Sequence, residues 1–141
     1  MAKILIVDDD ADTRNMMWMV LDARAGSGPY QVDMARNGRE AIVMWGASGP
    51  YDLLLTDWHM PDVDGPTLCA WLRARNAAVP ILLASDQEPA PRTLPTGIGF
   101  LRKPFGSEDL FQAVSRALGG RSETPPHVGT PPAPPSAAAP P

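Results

Sequence analysis

The chain has 141 residues, 44% of them apolar and 20% charged, a composition typical of one globular domain with a single core. Twelve basic and sixteen acidic side chains give a net charge of −4, which argues against direct binding of DNA or other nucleic acid. The single cysteine excludes an internal disulfide bond, and no apolar run is long enough for a signal peptide or a membrane span, so the totals predict a cytoplasmic protein without membrane insertion.

Five short apolar segments of the sequence are predicted β-strands, and helix-length segments lie between them. In chain order the predicted strands are KILIV (3–7), YQVDMA (30–35), YDLLLT (51–56), PILLAS (80–85) and GFLRK (99–103). The predicted helices cover residues 11–24, 38–47, 66–75 and 107–118, and Ser107 is the expected N-cap of the last one. Most of these strands are continuous apolar runs, which indicates burial on both faces. The pattern predicts a doubly wound α/β domain with a parallel sheet between two helix layers.

Two proline-rich segments depart from this alternation. Residues 86–99, which follow the fourth predicted strand, read DQEPAPRTLPTGIG. A regular alternation would place its fourth helix here, before the helix at 107–118. Because the three prolines remove backbone donors, we expect this fourth helix to be shortened or irregular. Residues 121–141 are rich in proline and alanine and contain almost no large apolar side chains, which predicts a disordered tail after a domain at 1–120. The alternative for the tail is a polyproline ligand for a proline-binding module.

Reactive side chains follow four of the predicted strands. Acidic residues occupy positions 8–10 after the first strand, Asp57 ends the third, Ser85 ends the fourth, and Lys103 ends the fifth. Because the carboxyl ends of parallel strands form one edge of a sheet, we expect these groups to meet there. Carboxylates held close together repel each other unless a cation compensates, and Mg²⁺ prefers such oxygen ligands. A carboxylate is also a nucleophile toward phosphorus, so the pattern favours phosphoryl transfer.

The combination of Asp8-Asp9, Asp57, Ser85 and Lys103-Pro104, with DWHMPDVDG after the third strand, resembles the receiver domain of bacterial two-component response regulators. The resemblance covers residues 3–118. It implies a flavodoxin-like or CheY-like sheet with strand order 2-1-3-4-5. It also implies a single-domain response regulator that signals by phosphorylation and is not an enzyme, beyond self-phosphorylation from small donors and self-dephosphorylation.

The resemblance assigns roles to individual residues. Asp57 would accept a phosphoryl group from a histidine kinase or a histidine phosphotransfer protein. The Mg²⁺ ligands would be Asp8, Asp9, Asp57 and the backbone carbonyl of His59. The protein would then switch a surface that binds an unknown downstream protein, or serve as a phosphate relay or sink.

Further roles concern the groups around the acceptor. Lys103 would pair with a phosphoryl oxygen, Ser85 would move toward the phosphate, and Phe100 occupies the aromatic switch position. The peptide bond before Pro104 is expected to be cis.

Helix 11–24 carries two apolar residues outside its predicted buried arc. Trp18 and Met19 either form an exposed docking site for the phosphodonor or pack beneath the segment RAGSGPY (24–30).

Each site residue also has an ordinary structural interpretation when it is taken singly. The acidic run at 8–10 suits a helix cap, and Asp62 and Asp64 suit turn formation in PDVDG. Two other functions are compatible with parts of the pattern. An aspartyl-phosphate phosphohydrolase would place its nucleophile on the first strand, with a second aspartate two residues later, whereas His59 occupies that later position after Asp57. A phosphorylation-independent interaction domain of receiver shape is the second alternative.

Overall fold

A computed structural model describes residues 1–24, 28–75, 78–86 and 97–119 of the chain. Five strands and four helices lie in these ranges. In chain order they are β1 (Lys3–Val7), α1 (Ala11–Leu21), β2 (Gln31–Ala35), α2 (Gly38–Ser48), β3 (Leu53–Asp57), α3 (Gly65–Arg75), β4 (Ile81–Ser85), β5 (Ile98–Arg102) and α4 (Ser107–Ala117). Within the described part of the chain, no helix is long and apolar enough to cross a membrane.

The strands form one sheet in the order β2-β1-β3-β4-β5, and every neighbouring pair is parallel. The predicted fold class and strand order are therefore confirmed. Every residue of β3 and β4 is buried, which accounts for the continuous apolar sequence of these two central strands.

Successive residues of β1 point to opposite faces of the sheet and enter two separate cores. Ile4 and Ile6 belong to a core that also contains side chains of α1 and α4. Leu5 and Val7 belong to a second core that contains side chains of α2 and α3. The sheet is thus covered on both faces, as doubly wound folds require.

Two predicted helix boundaries are wrong by a few residues. Helix α1 ends at Leu21 and not at residue 24, because the next residue, Asp22, leaves the helix and forms a parallel bridge with Tyr30. The N-cap of α4 is Gly106, and Ser107 is the first helical residue. The Asp109 carboxylate accepts the backbone N–H of Gly106 at 3.1 Å, and the N-cap glycine makes no side-chain cap hydrogen bond.

The two proline-rich segments lie largely beyond what the structure describes. The shortened helix predicted between the fourth and fifth strands concerns residues 86–99, of which residues 87–96 lie outside the described residues. The predicted tail, residues 121–141, lies outside them entirely.

Candidate functional site

Three aspartates meet at the carboxyl edge of the sheet. Asp57 is the last residue of β3, and Asp8 directly follows the adjacent strand β1. Carboxylate oxygens of Asp8, Asp9 and Asp57 lie within 4.8 Å of one another. Asp8 is fully buried and Asp57 is 7% exposed, whereas Asp9 is exposed. The cluster therefore has a buried base and an open rim, through which a ligand can enter.

Lys103 brings a positive charge to this cluster from the edge of the sheet. Its Nζ donates hydrogen bonds to Asp57 Oδ1 at 3.0 Å and to Asp8 Oδ2 at 3.3 Å. The lysine side chain is only 23% exposed, so these contacts are partly shielded from water. The structure thus brings together four of the predicted site residues, namely Asp8, Asp9, Asp57 and Lys103.

Burial and neighbouring charges act in opposite directions on the pKa values of Asp57 and Lys103. Burial raises the pKa of Asp57 above its ordinary value, against the hydrogen bond and the charge of Lys103, which lower it. Burial also raises the pKa of Asp8, and the nearby charge of Asp57 adds to the effect. Burial would lower the pKa of Lys103, but the hydrogen bond to Asp57 and the charge of Asp8 raise it overall. One lysine therefore leaves part of the acidic charge uncompensated, which favours a further cation.

The loop after β1 is held by contacts that the sequence did not reveal. The backbone N–H of Asp10 donates to Asp8 Oδ1 at 2.9 Å, and Arg14 Nη1 donates to the Asp8 carbonyl at 2.8 Å. Asp10 caps α1 by accepting from the backbone N–H of Thr13 at 3.0 Å. The helix-cap interpretation of the acidic run is thus right for Asp10, while its two neighbours face the cluster. The sequence carries no specific signal for the Arg14 contact, because arginines are common on exposed helix surfaces.

The loop after β3 is closed tightly beneath the cluster. The backbone N–H of Gly65 donates to the Trp58 carbonyl at 2.8 Å. A Cβ atom on Gly65 would lie 2.4 Å from the Asp57 carbonyl oxygen, so only glycine lets α3 begin this close to the end of β3. Asp64 accepts from the backbone N–H of Thr67 at 2.9 Å and thereby caps α3, in keeping with its predicted role in the turn. His59 lies on this loop, and its side chain is exposed.

Ser85 ends β4, and Pro104 follows Lys103. Ser85 is buried and follows Ala84, which is the register partner of Asp57. The Ser85 carbonyl accepts the backbone N–H of Lys103 at 2.8 Å, which ties the lysine to the end of β4. The Lys103–Pro104 peptide bond is cis, the geometry that the resemblance implies.

Phe100 is separated from Asp57 by strand β4. It is half-buried on the edge strand β5, opposite Leu83 in register. It lines a groove of about 360 Å³ between β5 and α4, together with Phe105 and Arg116. This groove is a separate feature from the acidic pocket.

The apolar pair on α1 is only half exposed. Met19 is 57% exposed, but Trp18 is half-buried and packs against the core that contains Tyr30. Of the two alternatives, exposure describes Met19, whereas Trp18 is partly buried. Residues 25–27 of the segment that would cover the pair lie outside the described residues. A groove of about 440 Å³ beside Lys103 is lined from α1 by Thr13 and Met16 instead.

Comparison with known proteins identifies the family. Residues 4–115 match the family described as the response regulator receiver domain. The chain belongs to this family. Among curated relatives, the receiver domain is 35% identical over 125 residues to the transcriptional regulatory protein ResD of Bacillus subtilis. That alignment covers 86% of this chain and 50% of ResD, so the chain spans about half the length of this relative.

Solved structures agree with the family assignment. The receiver domain superposes on the chemotaxis protein CheY4 of Vibrio cholerae with a TM-score of 0.72 and 28% identity, covering 83% of this chain and 98% of that one. It superposes on the receiver domain of the hybrid histidine kinase CckA with a TM-score of 0.68 and 34% identity, covering 82% and 98% respectively. The predicted family and the CheY-like fold are both confirmed.

Proposed function

We propose that this receiver domain is switched by phosphorylation of Asp57 in a reaction that requires Mg²⁺. The observation that supports this most strongly is the placement of Asp57 within hydrogen-bond distance of Lys103 and within 4.8 Å of the Asp8 and Asp9 carboxylates. Asp57 is the member of the cluster at the tip of a fully buried strand, where it is fixed but still 7% exposed. A fixed, accessible carboxylate with cationic neighbours is suited to attack a phosphoryl group.

The acidic cluster fits Mg²⁺ by its donor chemistry. All three of its ligand atoms are carboxylate oxygens, which a hard divalent cation prefers. Asp8, Asp9 and Asp57 would hold the ion, and the resemblance adds the backbone carbonyl of His59. When bound, Mg²⁺ neutralises charge on the transferring phosphoryl group and on the carboxylates around it.

The residues of the site divide the work of phosphoryl transfer. A carboxylate oxygen of Asp57 attacks phosphorus and forms the new P–O bond, while the bond to the donor breaks and the donor leaves with its electron pair. Lys103 stays protonated, since its pKa is raised, and its ammonium group stabilises negative charge on a phosphoryl oxygen. Asp57 must be ionised to react, and Lys103 counteracts the effect of burial that would protonate it.

Ser85 is one of two switch residues in this proposal, and Phe100 is the other. The Ser85 hydroxyl would hydrogen-bond a phosphoryl oxygen and so couple phosphorylation of Asp57 to the end of β4. The side chain of Phe100 would then change its conformation on the edge strand β5, in the groove between β5 and α4. The donor would be a histidine kinase or a histidine phosphotransfer protein. The output would be a changed protein-binding surface or the onward transfer of phosphate.

Mass spectrometry tests the acceptor. The protein is incubated with Mg²⁺ and acetyl phosphate, and intact mass is recorded with time and after addition of EDTA. We expect the mass of one phosphoryl group to appear in the wild type and in Asp12→Asn, which removes an exposed aspartate of α1 outside the cluster. The label should be absent in Asp57→Asn and in wild type with EDTA.

The same experiment separates the alternatives. Stable labelling of Asp57→Asn at the wild-type rate would assign the acceptor to another residue. A wild type that takes no label from acetyl phosphate or phosphoramidate, at saturating Mg²⁺, would favour the phosphorylation-independent interaction domain.

A further inference from the structure

The loop between β3 and α3 (residues 58–64) is held from outside by α2. Arg39, the second residue of α2, donates two hydrogen bonds to one oxygen of Asp62, from Nε at 2.9 Å and from Nη2 at 2.7 Å. Both side chains are well exposed, at 70% and 59%, so the pair lies at the rim of the molecule. It joins the first turn of α2, which follows β2, to the loop that follows β3.

Asp62 has an unusual backbone conformation at this contact. Its φ is +75°, the left-handed region that side-chain-bearing residues rarely adopt. Aspartate tolerates this region better than most residues, but surrounding contacts are needed to maintain it. The two hydrogen bonds from Arg39 are such contacts, and they fix the middle of the loop.

The neighbouring position of α2 packs against the same loop through its backbone. A Cβ atom on Gly38 would lie 2.6 Å from the Val63 carbonyl oxygen and 2.7 Å from Val63 Cβ. Consecutive residues of α2 therefore contact consecutive residues of the loop, Gly38 with Val63 and Arg39 with Asp62. We call the Arg39–Asp62 pair the clamp. Together with the backbone contact of Gly38, it restricts the loop more than an isolated surface ion pair would.

We infer that Arg39 is a positioning residue for the metal site, and that it acts by holding the 58–64 loop through Asp62. This inference rests on the proposed function, in which the His59 carbonyl, three residues before Asp62, is a Mg²⁺ ligand. The base of the loop is already closed by the Gly65–Trp58 hydrogen bond, and the clamp fixes its middle. A carbonyl on a fixed loop loses less conformational entropy when it binds an ion, so the clamp strengthens Mg²⁺ binding without contacting the ion.

Calorimetric titration with Mg²⁺ tests the role of the clamp. We expect Arg39→Ala to weaken Mg²⁺ binding about two- to fivefold, the range that an exposed ion pair supports. The matched control is Arg36→Ala, because Arg36 is 72% exposed and pairs with Glu40 on α2 itself, not with the loop. We expect Arg36→Ala to bind Mg²⁺ as the wild type does, while the two variants have similar melting temperatures in EDTA.

A double-mutant cycle shows whether Arg39 acts through Asp62. Asp62→Asn removes the carboxylate charge but keeps a side chain that tolerates a positive φ, so it should also weaken Mg²⁺ binding, by no more than Arg39→Ala does. The double variant Arg39→Ala/Asp62→Asn should be no weaker than Arg39→Ala alone. Labelling by acetyl phosphate should be slowed in Arg39→Ala at low Mg²⁺ and restored at saturating Mg²⁺.

Two negative outcomes have different meanings. If the wild type binds Mg²⁺ and Arg39→Ala binds it equally well, the positioning role is wrong and the proposed function stands. If the wild type itself binds no Mg²⁺, the proposed function fails first.

Discussion

The ammonium group of Lys103, directly after β5, donates a hydrogen bond to the carboxylate of Asp57, at the end of β3, across 3.0 Å. Strand β4 lies between these two strands, so the two side chains and the hydrogen bond between them together bridge about 10 Å of sheet edge. The same Nζ lies 3.3 Å from Asp8. Lys103 is thus the internal cation of the acidic cluster.

Replacement of Lys103 is predicted to change metal binding and phosphorylation in opposite directions. In Lys103→Met the cluster loses its internal positive charge, so Mg²⁺ should bind about three- to tenfold more tightly. Labelling from acetyl phosphate should slow at least about tenfold, because a charge that stabilises the transferring group is lost. Calorimetry and timed mass spectrometry measure the two effects, and Lys103→Arg, which keeps the charge, is the control. Wild-type labelling by Lys103→Met would contradict this role.

Asp9 and Asp10 are predicted to differ sharply although they are neighbours. Asp9 offers a carboxylate oxygen to the cluster, so Asp9→Asn should weaken Mg²⁺ binding about tenfold or more. The side chain of Asp10 caps α1 through Thr13, and asparagine caps helices equally well, so Asp10→Asn should bind Mg²⁺ within about twofold of the wild type. Calorimetric titration of both variants measures the difference. Equal losses in the two variants would show that only the total charge matters.

Asp22 is predicted to stabilise the fold in a manner that depends on pH. Its buried carboxylate accepts from the Arg24 guanidinium at 2.8 Å and from the Val32 backbone N–H at 2.9 Å. The hydrogen bond from Arg24 lowers the pKa of Asp22 to about 2, so the folded state favours the charged form. The resulting stabilisation, about 2 kcal/mol, is complete above about pH 4 and is lost as the pH falls toward 2.

Denaturant unfolding at pH 7 and pH 3 measures this contribution. Asp22→Asn should lower the free energy of unfolding by about 2 kcal/mol at pH 7 and by less at pH 3. Asp12→Asn, at an exposed position of α1, is the control and should change it by less than about 0.5 kcal/mol. A loss in Asp22→Asn that was the same at both pH values would exclude the ionised form as the stabilising one.

Two glycine-to-alanine substitutions are predicted to have opposite effects on stability. A methyl group at Gly65 would overlap the Asp57 carbonyl oxygen at 2.4 Å, so Gly65→Ala should cost about 1–3 kcal/mol. Gly46 lies within α2 and has no atom within 4 Å of the added methyl, so Gly46→Ala should gain up to about 1 kcal/mol. Urea unfolding compares the two. A Gly65→Ala variant as stable as the wild type would mean that α3 can move away from Asp57 at no cost.

The fold and the acidic cluster are predictable from the sequence. The fold follows from the pattern of apolar residues, and the cluster follows from the residues at the strand ends. Continuous apolar runs such as 53–55 are buried on both faces of a parallel sheet, and the residues that follow them must meet at one edge. The same reasoning predicts that Asp57 and Lys103 lie together, and their side chains are 3.0 Å apart.

The contacts that the sequence does not predict depend on how the helices and loops pack against each other, and not on the spacing of apolar residues. The predicted apolar arc of helix 11–24 does not include Trp18, because that prediction allows for only one buried side. Helix α1 contacts both β2 and α4, so a wider arc of its surface is buried. Arg14 and Arg39 are ordinary surface residues in sequence, and only the packed loops show what their guanidinium groups reach. The N-cap of α4 is Gly106 and not the predicted Ser107, because glycine and serine are both common N-cap residues and the sequence does not distinguish the two positions.

Anomalous diffraction from crystals soaked in Mn²⁺ tests the central claim most directly, because Mn²⁺ takes the same oxygen ligands as Mg²⁺. The account predicts one strong peak between the carboxylates of Asp8, Asp9 and Asp57, and its loss in crystals of Asp9→Asn. A strong peak elsewhere on the molecule, with none among these carboxylates at saturating Mn²⁺, would contradict it.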